Sequence, residues 1–115
     1  MRLGDSVRFL NSESALHNAR CLETEPPLYV NLAMGENHLL KPEKAHGARD
    51  PLDITCVFHG AMKAWIFVLD HPHFKVTDRS GVFHFKDVPV GTYRMGVAHA
   101  SGDLTFESEA QNIGK

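Results

Sequence analysis

The segment at residues 52–58 reads LDITCVF, and its alternation decides the fold class. The polar Asp53 and Thr55 fall on one face, and the residues that alternate with them fall on the other, which is the period of a half-buried β-strand. The predicted inward face consists of Leu52, Ile54, Cys56 and Phe58. The Cys56 sulfur is therefore expected to point into an apolar interior.

Other segments on both sides carry strand signals. Residues 6–10 (SVRFL) alternate, whereas residues 64–70 (AWIFVLD) are apolar on both faces, as in a strand inside a sandwich. Helix signals are limited to a turn or two at residues 42–46, inside a predicted loop at 34–50. Many short strands between Gly and Pro turns predict an all-β protein, either a β-sandwich or a small barrel. Further strands are predicted at residues 74–77, 82–86, 92–99 and 104–109, the first two joined by the turn DRSG.

Chain length and charge limit the possible classes. A chain of 115 residues with 43% hydrophobic and 23% charged residues suits one compact domain, so we expect a single domain over residues 1–115. The net charge of −2 disfavours nucleic-acid binding. No apolar run approaches the roughly 20 residues that a membrane helix needs. The first residues, MRLGDSVRFL, lack the pattern of a signal peptide, which leaves a cytoplasmic protein or a mature domain as alternatives.

The most informative motif for chemistry is the spacing C-x2-H-x2-M at Cys56, His59 and Met62. It begins at the end of one predicted strand and finishes just before another, so the three side chains belong to one tight loop. Gly60 is expected to let this loop bend sharply. A thiolate, an imidazole and a thioether form a soft ligand set, which suits copper better than zinc, calcium or magnesium. The motif therefore predicts a copper site.

A trigonal copper site with two imidazoles, one thiolate and a weak axial Met needs one more histidine. The best donor is His17, because it lies far enough upstream of the loop to arrive from a neighbouring strand. The adjacent Asn18 is expected to hydrogen-bond near the sulfur or across to the loop and so to fix the ligand geometry. The predicted metal ligands are His17, Cys56, His59 and Met62.

The two cysteines leave several alternatives open. They are too few for a disulfide framework or a four-cysteine zinc site. Cys21 could pair with Cys56, which would destroy the predicted site, or bring a second thiolate to the metal, or remain a buried free thiol. Taken alone, Cys56 would more often be a buried structural thiol, and Met62 could be a core-filling residue.

The remaining histidines, from a total of eight, have simpler interpretations. His71 and His73 would project to one side of a strand, where such a pair can chelate zinc or copper but more often faces solvent. His84 should face water. The phenylalanines are predicted to be core residues rather than a sugar-stacking platform: Phe58, Phe67, Phe83 and Phe85.

Together, Cys56, His59, Met62 and the upstream His17-Asn18 resemble the blue-copper loop of cupredoxins in a short, amicyanin-like spacing. The chain also resembles a bacterial plastocyanin-like group, in which the copper loop runs into a segment like a carboxypeptidase regulatory domain. This resemblance covers about residues 7–109. It implies a Greek-key β-sandwich, a periplasmic or extracellular location after removal of an export signal, and a reserve ligand at His99. Its wider motifs are Val68-Leu-Asp-His-Pro, Val76-Thr-Asp, Gly81, Phe83, Val88-Pro, Gly91, Tyr93 and His99.

Three features depart from the cupredoxin pattern. Only sixteen residues precede His17, more than fifty follow Met62, and Cys21 stands where related sequences tend to have a hydroxyl residue. The first two departures can compensate each other. We therefore expect late strands, at residues 82–86 and 92–99, to fill sheet positions that early strands occupy elsewhere, as in a circular permutation.

The ligand set and the resemblance predict a type 1 copper protein that transfers single electrons between redox proteins, which would dock weakly through small interfaces. One alternative is a non-redox β-sandwich module that binds a glycan or a protein. Another is copper storage or delivery. We expect no enzyme activity, since no acid–base pair, nucleophile–base set or hydrolase, Walker or dinucleotide motif occurs in the sequence.

Overall fold

Short antiparallel strands make up the regular structure of the computed structural model, which describes residues 1–100 and 105–114. No helix occurs among these residues, so the all-β prediction is confirmed. Backbone contacts divide the chain into two compact units, Met1–Asp70 and His71–Lys115. The expectation of one domain over residues 1–115 stays a prediction.

The first unit contains a four-stranded and a two-stranded antiparallel sheet. Its strands are β1 (Val7–Leu10), β2 (His17–Cys21), β3 (Leu28–Leu32), β4 (Asn37–Leu40), β5 (Leu52–Thr55) and β6 (Lys63–Ile66). The larger sheet has the order β3-β2-β5-β6, and the smaller one pairs β1 with β4. The hairpins β2-β3 and β5-β6 therefore lie side by side in the larger sheet.

The pairing of the two central strands positions the predicted ligands. Arg20 of β2 lies opposite Thr55, the last residue of β5. Because the strands are antiparallel, the beginning of β2 runs beside the residues that follow β5. His17 opens β2, so it arrives next to the loop that carries the C-x2-H-x2-M motif.

Apolar side chains from both sheets form the core of the first unit. The buried members belong mostly to the larger sheet: Ala19, Cys21, Leu28, Leu52, Ile54 and Val68. Phe9 of β1 and Leu40 of β4 pack against this cluster from the smaller sheet. Two antiparallel layers around one apolar core are consistent with a β-sandwich. Greek-key topology and the permuted strand order stay predictions.

Strand β5 confirms the alternation only as far as Cys56. Leu52, Ile54 and Cys56 are buried as predicted, but the strand ends at Thr55 and the chain turns, so Phe58 is exposed. The prediction of Phe58 as a core residue is therefore wrong. The prediction for residues 64–70 is also wrong in part, because β6 ends at Ile66 and its Trp65 is exposed.

Three strands of the first unit were not predicted. Strand β2 buries adjacent residues instead of alternating, and the polar Asn18 is buried within it, so a period-two search does not detect it. Strand β3 does alternate, with Leu28 and Leu32 buried and Tyr29 and Asn31 exposed, so its period-two pattern was overlooked. Strand β4 lies inside the predicted loop at 34–50, and the helical turn expected at 42–46 is absent from the structure.

The second unit contains two short antiparallel pairs. Its strands are β7 (Gly91–Tyr93), β8 (Gly96–Ala98), β9 (Thr105–Glu107) and β10 (Gln111–Ile113). Strand β7 pairs with β10 and β8 pairs with β9. The single strand predicted at 92–99 is thus two strands, because the chain changes partner between them. Of the strand predicted at 104–109, β9 is present, and residue 104 lies outside the described residues.

The predicted hairpin at residues 74–86 forms its turn but not its strands. The Asp78 carboxylate accepts hydrogen bonds from the backbone N–H groups of Ser80 (2.8 Å) and Val82 (3.0 Å), and Gly81 has a φ of +79°. The flanking residues form no strand. Phe83 and Phe85 are exposed and contact each other edge to face, so their prediction as core residues is wrong. His84 is exposed, as expected.

Burial predicts a difference in backbone protection between the units. Each described residue of the second unit keeps part of its surface exposed, whereas β2 and β5 lie in the core of the first unit. Strands with few buried contacts open locally at low free-energy cost. We expect amide hydrogens of β2 and β5 to exchange slowest and those of β7 and β10 to exchange markedly faster. Equal protection measured by native-state hydrogen exchange would contradict this burial pattern.

Candidate metal centre

Three of the four predicted ligands come together in the first unit. One ligand atom from each of His17, Cys56 and His59 lies within 4.8 Å of the other two, the only such cluster of three or more among the described residues. The Cys56 Sγ atom is 3.7 Å from His59 Nδ1. The two imidazole rings are 4.8 Å apart between centroids and are inclined by 49°.

These separations suit two donors that share one ion. With metal–sulfur and metal–nitrogen bonds near 2.3 and 2.05 Å, as in zinc sites, a tetrahedral or trigonal angle sets the sulfur and nitrogen about 3.6–3.8 Å apart. The observed distance of 3.7 Å between Cys56 Sγ and His59 Nδ1 falls in that interval. The group could therefore hold a metal ion without a large movement of the loop.

The His17 ring has one nitrogen occupied and one free for a metal. Its Nε2 atom is 2.8 Å from Glu13 Oε2. Its Nδ1 atom is buried and has no hydrogen-bond partner within the described part of the chain. A buried polar nitrogen without a partner is unfavourable, because it loses its water and gains nothing in return. Coordination of a metal at Nδ1 would remove that penalty.

The Cys56 thiol is set up to ionise. Its burial favours the neutral form, but a hydrogen bond from the Asn18 backbone N–H (3.3 Å), together with the nearby His59 ring and the Phe58 backbone, outweighs it. The net effect lowers the pKa of Cys56 to about 6. A thiolate is the form that binds metals, so the site offers its sulfur in the coordinating state near neutral pH.

The charge of Cys56 also affects His17. The hydrogen bond to Glu13 raises the pKa of His17, and the nearby Cys56 sulfur adds to the same effect. The raised pKa means that a metal ion must compete with a proton for the His17 ring, most strongly at low pH.

Backbone hydrogen bonds shape the loop between β5 and β6. The Cys56 N–H donates to the Met62 carbonyl (3.4 Å), and the Met62 N–H donates to the His59 carbonyl (2.9 Å). Gly60 has no positive φ and nothing within 4 Å of an added Cβ, so the expected need for glycine there is not found. The hydrogen bonds, rather than a special glycine conformation, close the loop.

Met62 lies beside the cluster. The residue is 44% exposed and lines an open cleft of about 450 Å³ together with His17, Asn18 and Cys56. The structure thus places Met62 at the same cleft as two of the predicted ligands. Its role as an axial ligand stays a prediction.

Asn18 contacts the sulfur as expected, but through its backbone. Its side chain is used elsewhere: Nδ2 donates to the Val30 carbonyl (3.2 Å) and to Asn31 Oδ1 (3.0 Å) of β3. These bonds hold β2 against β3 and so fix the direction of the Asn18 N–H. A substitution at Asn18 would therefore act on the sulfur indirectly.

The two cysteines are not bridged. Both are free and buried, so the predicted alternative of a disulfide is wrong. Cys21 belongs to the core, where burial, and then a hydrogen bond to Glu23 (3.1 Å), raise the pKa of its thiol. Cys21 is not a member of the metal-ligating cluster.

The other histidines named in the sequence form no comparable group among residues 1–100 and 105–114. The rings of His71 and His73 stack at 6.1 Å, and the His73 N–H donates to His71 Nδ1. Nδ1 of His46 lies 3.9 Å from an Asp50 carboxylate oxygen. His99 follows β8 in the second unit.

Glu13 and Asn11 contribute to the site and were not predicted. Glu13 Oε2 lies 2.8 Å from His17 Nε2, and the buried Asn11 holds the loop that carries Glu13. A search for metal-ligand spacing overlooks both, because neither belongs to the ligand motif. The sequence carried one signal for Glu13, since its carboxylate stands four residues before a predicted ligand histidine.

Comparison with known proteins gives no match, whether with protein-family models, curated proteins or solved structures. In the described part of the chain, no helix has the length and apolar character needed to cross a membrane.

The lowered pKa of Cys56 is testable in the metal-free protein. We expect the ultraviolet absorbance of a thiolate to appear with a midpoint near pH 6, well below that of Cys21. Because the folded-state pKa is below the unfolded value, ionised Cys56 stabilises the fold at high pH, and this contribution is lost as the pH falls towards 6. The measurement is a pH titration of absorbance with parallel unfolding curves.

Matched cysteine variants assign that transition. Cys56→Ser should remove the low-pH transition and flatten the pH dependence of the free energy of unfolding between about pH 6 and 9. Cys21→Ser should keep the low-pH transition and the pH dependence of the free energy of unfolding. A wild-type protein whose thiols both ionise at or above the ordinary cysteine value would contradict the assignment.

Proposed function

We propose that this chain is a mononuclear copper protein that carries single electrons between redox partners. The observation that carries the proposal is the buried Nδ1 of His17, which has no hydrogen-bond partner among the described residues and lies beside a low-pKa thiol and a second imidazole. Two nitrogens and one thiolate are the trigonal donor set of copper sites that exchange one electron. Copper in such a site supplies reversible cycling between Cu(II) and Cu(I).

Softness of the donors favours copper over zinc. The cluster contains no carboxylate, and the cleft beside it is lined by the thioether of Met62 as well as by Glu13. Structural zinc sites are usually closed by a fourth Cys or His, and no such fourth donor belongs to the cluster in the described residues. Thiolates bind Cu(I) and zinc alike, but two His and one Cys with a weak axial Met are the ligand set of one-electron copper sites.

The surrounding fold supports rapid electron exchange. The Asn18 N–H bond to the sulfur and the two backbone bonds within the loop would hold the donors in one geometry in both oxidation states. Cys56 follows a core strand and is only 6% exposed, which limits access of water to the metal–sulfur bond. A small change in geometry between oxidation states lowers the cost of electron transfer.

The His59 loop would be the docking surface. Val57 and Phe58, directly before His59, are 47% and 48% exposed. An apolar patch around a metal-ligating imidazole suits the small, transient interfaces of redox proteins. The cupredoxin class and the periplasmic or extracellular location belong to the same proposal and rest on the C-x2-H-x2-M pattern and His17.

Voltammetry of the copper-loaded protein tests the function. We expect one reversible one-electron couple, with Cu(I) retained when a competing chelator is added. Copper that binds but passes readily as Cu(I) to the chelator would indicate delivery instead, which the exposure of Met62 would favour. The absence of any reversible couple in a protein that binds copper would overturn electron transfer.

A further inference from the structure

We propose that Glu13 is a positioning residue for this centre, which selects Nδ1 of His17 as the metal-binding nitrogen by accepting a hydrogen bond from Nε2. The copper measurements that test this inference rest on the proposed function. The tautomer of His17, in contrast, is tested in the metal-free protein. The inference adds a residue from outside the ligand motif and assigns it a specific chemical role.

The position of Glu13 is fixed by the loop between β1 and β2. The Glu13 N–H donates to Asn11 Oδ1 (2.9 Å), and Asn11 Nδ2 donates to the carbonyls of Ala15 and Leu32 (both 2.8 Å). Asn11 is only 4% exposed, and its bond to the Leu32 carbonyl is buried. Through these bonds, the Asn11 side chain connects the loop to strand β3. The buried Asn11 side chain therefore holds the backbone of Glu13 in place beside His17.

The hydrogen bond determines which nitrogen is free. A neutral imidazole carries one N–H and one lone pair, and an ionised carboxylate can only accept. A distance of 2.8 Å between Nε2 and Glu13 Oε2 thus requires the proton on Nε2. The lone pair is left on Nδ1, which is the buried nitrogen without a partner in the described residues. A carboxylate behind a ligand histidine fixes its ring orientation and increases its basicity.

The charge of Glu13 has a smaller effect than its geometry. The carboxylate is 70% exposed, so solvent and salt screen its field at the metal. The sign is nonetheless defined: a negative charge favours Cu(II) over Cu(I) and lowers the reduction potential. Removing the charge alone should therefore change the metal affinity and the reduction potential less than removing the hydrogen-bond acceptor does.

Three variants separate these effects. Glu13→Gln keeps an acceptor oxygen and removes the charge, whereas Glu13→Ala removes both. Asp50→Asn is the matched control, because it removes the same charge from another histidine–carboxylate pair of i,i+4 spacing, 3.9 Å apart, at His46. All three leave the proposed ligands in place.

Nitrogen NMR of the imidazole rings in the metal-free protein is the first readout. At a pH where the rings are neutral, we expect His17 of wild type, Glu13→Gln and Asp50→Asn to carry its proton on Nε2. We expect Glu13→Ala to populate both tautomers. A His17 ring that keeps the Nε2–H tautomer in Glu13→Ala would overturn the proposal.

Metal affinity and reduction potential are the second readout. Loss of a partner behind a ligand typically lowers metal affinity 10–100-fold, so we expect that loss for both Zn(II) and Cu(II) in Glu13→Ala and a smaller one in Glu13→Gln. If only the Cu(II) affinity changes, a tenfold loss raises the potential by about 59 mV. Equal affinities in wild type and Glu13→Ala would overturn the role of Glu13.

The experiments distinguish a failure of the proposed function from a failure of the proposed role of Glu13. A wild-type protein that binds Zn(II) but forms no redox-active copper centre would overturn the proposed function, while the tautomer and Zn(II) measurements would still decide the role of Glu13. A normal copper couple that is identical in Glu13→Ala would overturn the role of Glu13 and leave the proposed function standing.

Discussion

Cys56→Ser is expected to abolish the visible colour of the copper-loaded protein. The colour of a copper–thiolate centre comes from charge transfer between sulfur and metal, which a serine oxygen does not provide. Serine also does not ionise near neutral pH, so the site loses its anionic donor. We expect the affinity for copper to fall by more than the roughly 10–100-fold typical of residues behind the ligands. Visible absorption and competition titrations measure both effects.

Cys21→Ser is the matched control for this substitution. Both sulfurs are buried and free, and both follow or end a strand of the same sheet. Only Cys56 belongs to the cluster with His17 and His59. Cys21→Ser should therefore retain the colour even if it lowers the stability of the core. Colour lost in Cys21→Ser but kept in Cys56→Ser would reverse the assignment of the ligand.

His17→Ala should have an effect of similar size by a different route. The substitution removes the imidazole that reaches the loop from β2, and it leaves Cys56 and His59 on the loop unchanged. We expect a loss of Cu(II) affinity of more than about 100-fold and a shifted spectrum. Because His17 lines the open cleft, added imidazole should enter the vacated space and restore part of the colour. Spectra with and without imidazole measure the rescue.

His84→Ala controls for the general loss of a histidine. His84 is exposed in the second unit, and the variant should match the wild type in colour and affinity. An unchanged spectrum in His17→Ala would remove His17 from the ligand set. A loss in both variants would point to metal held by scattered surface histidines instead.

The cluster itself could be predicted because its signal is local. The spacing of Cys56, His59 and Met62 names three donors on one loop, and the alternation before Cys56 shows that its sulfur faces inward. His17 was predicted from the need for a second imidazole. The pairing of β2 with β5, which brings His17 to the loop, is a long-range contact that no local pattern contains.

The wrong and missing predictions also come from features of the fold that no local sequence pattern contains. Alternation continues in the sequence to Phe58, but the chain turns after Cys56, and the ring ends in solvent. Strand β2 was not predicted because it buries Asn18, whose amide nitrogen donates to partners on the neighbouring strand. Glu13 was overlooked because its partner, the Nε2 atom of His17, becomes apparent only when the ring orientation is known.

The spectrum of the wild-type protein with one equivalent of copper tests the central claim most directly. If His17, Cys56 and His59 share one copper ion, the protein will show intense visible absorption together with the small copper hyperfine splitting of a thiolate-bound Cu(II) in paramagnetic resonance. It will bind one copper per chain. A colourless protein with the wide splitting of nitrogen- and oxygen-bound copper, or one that prefers zinc, would contradict the claim.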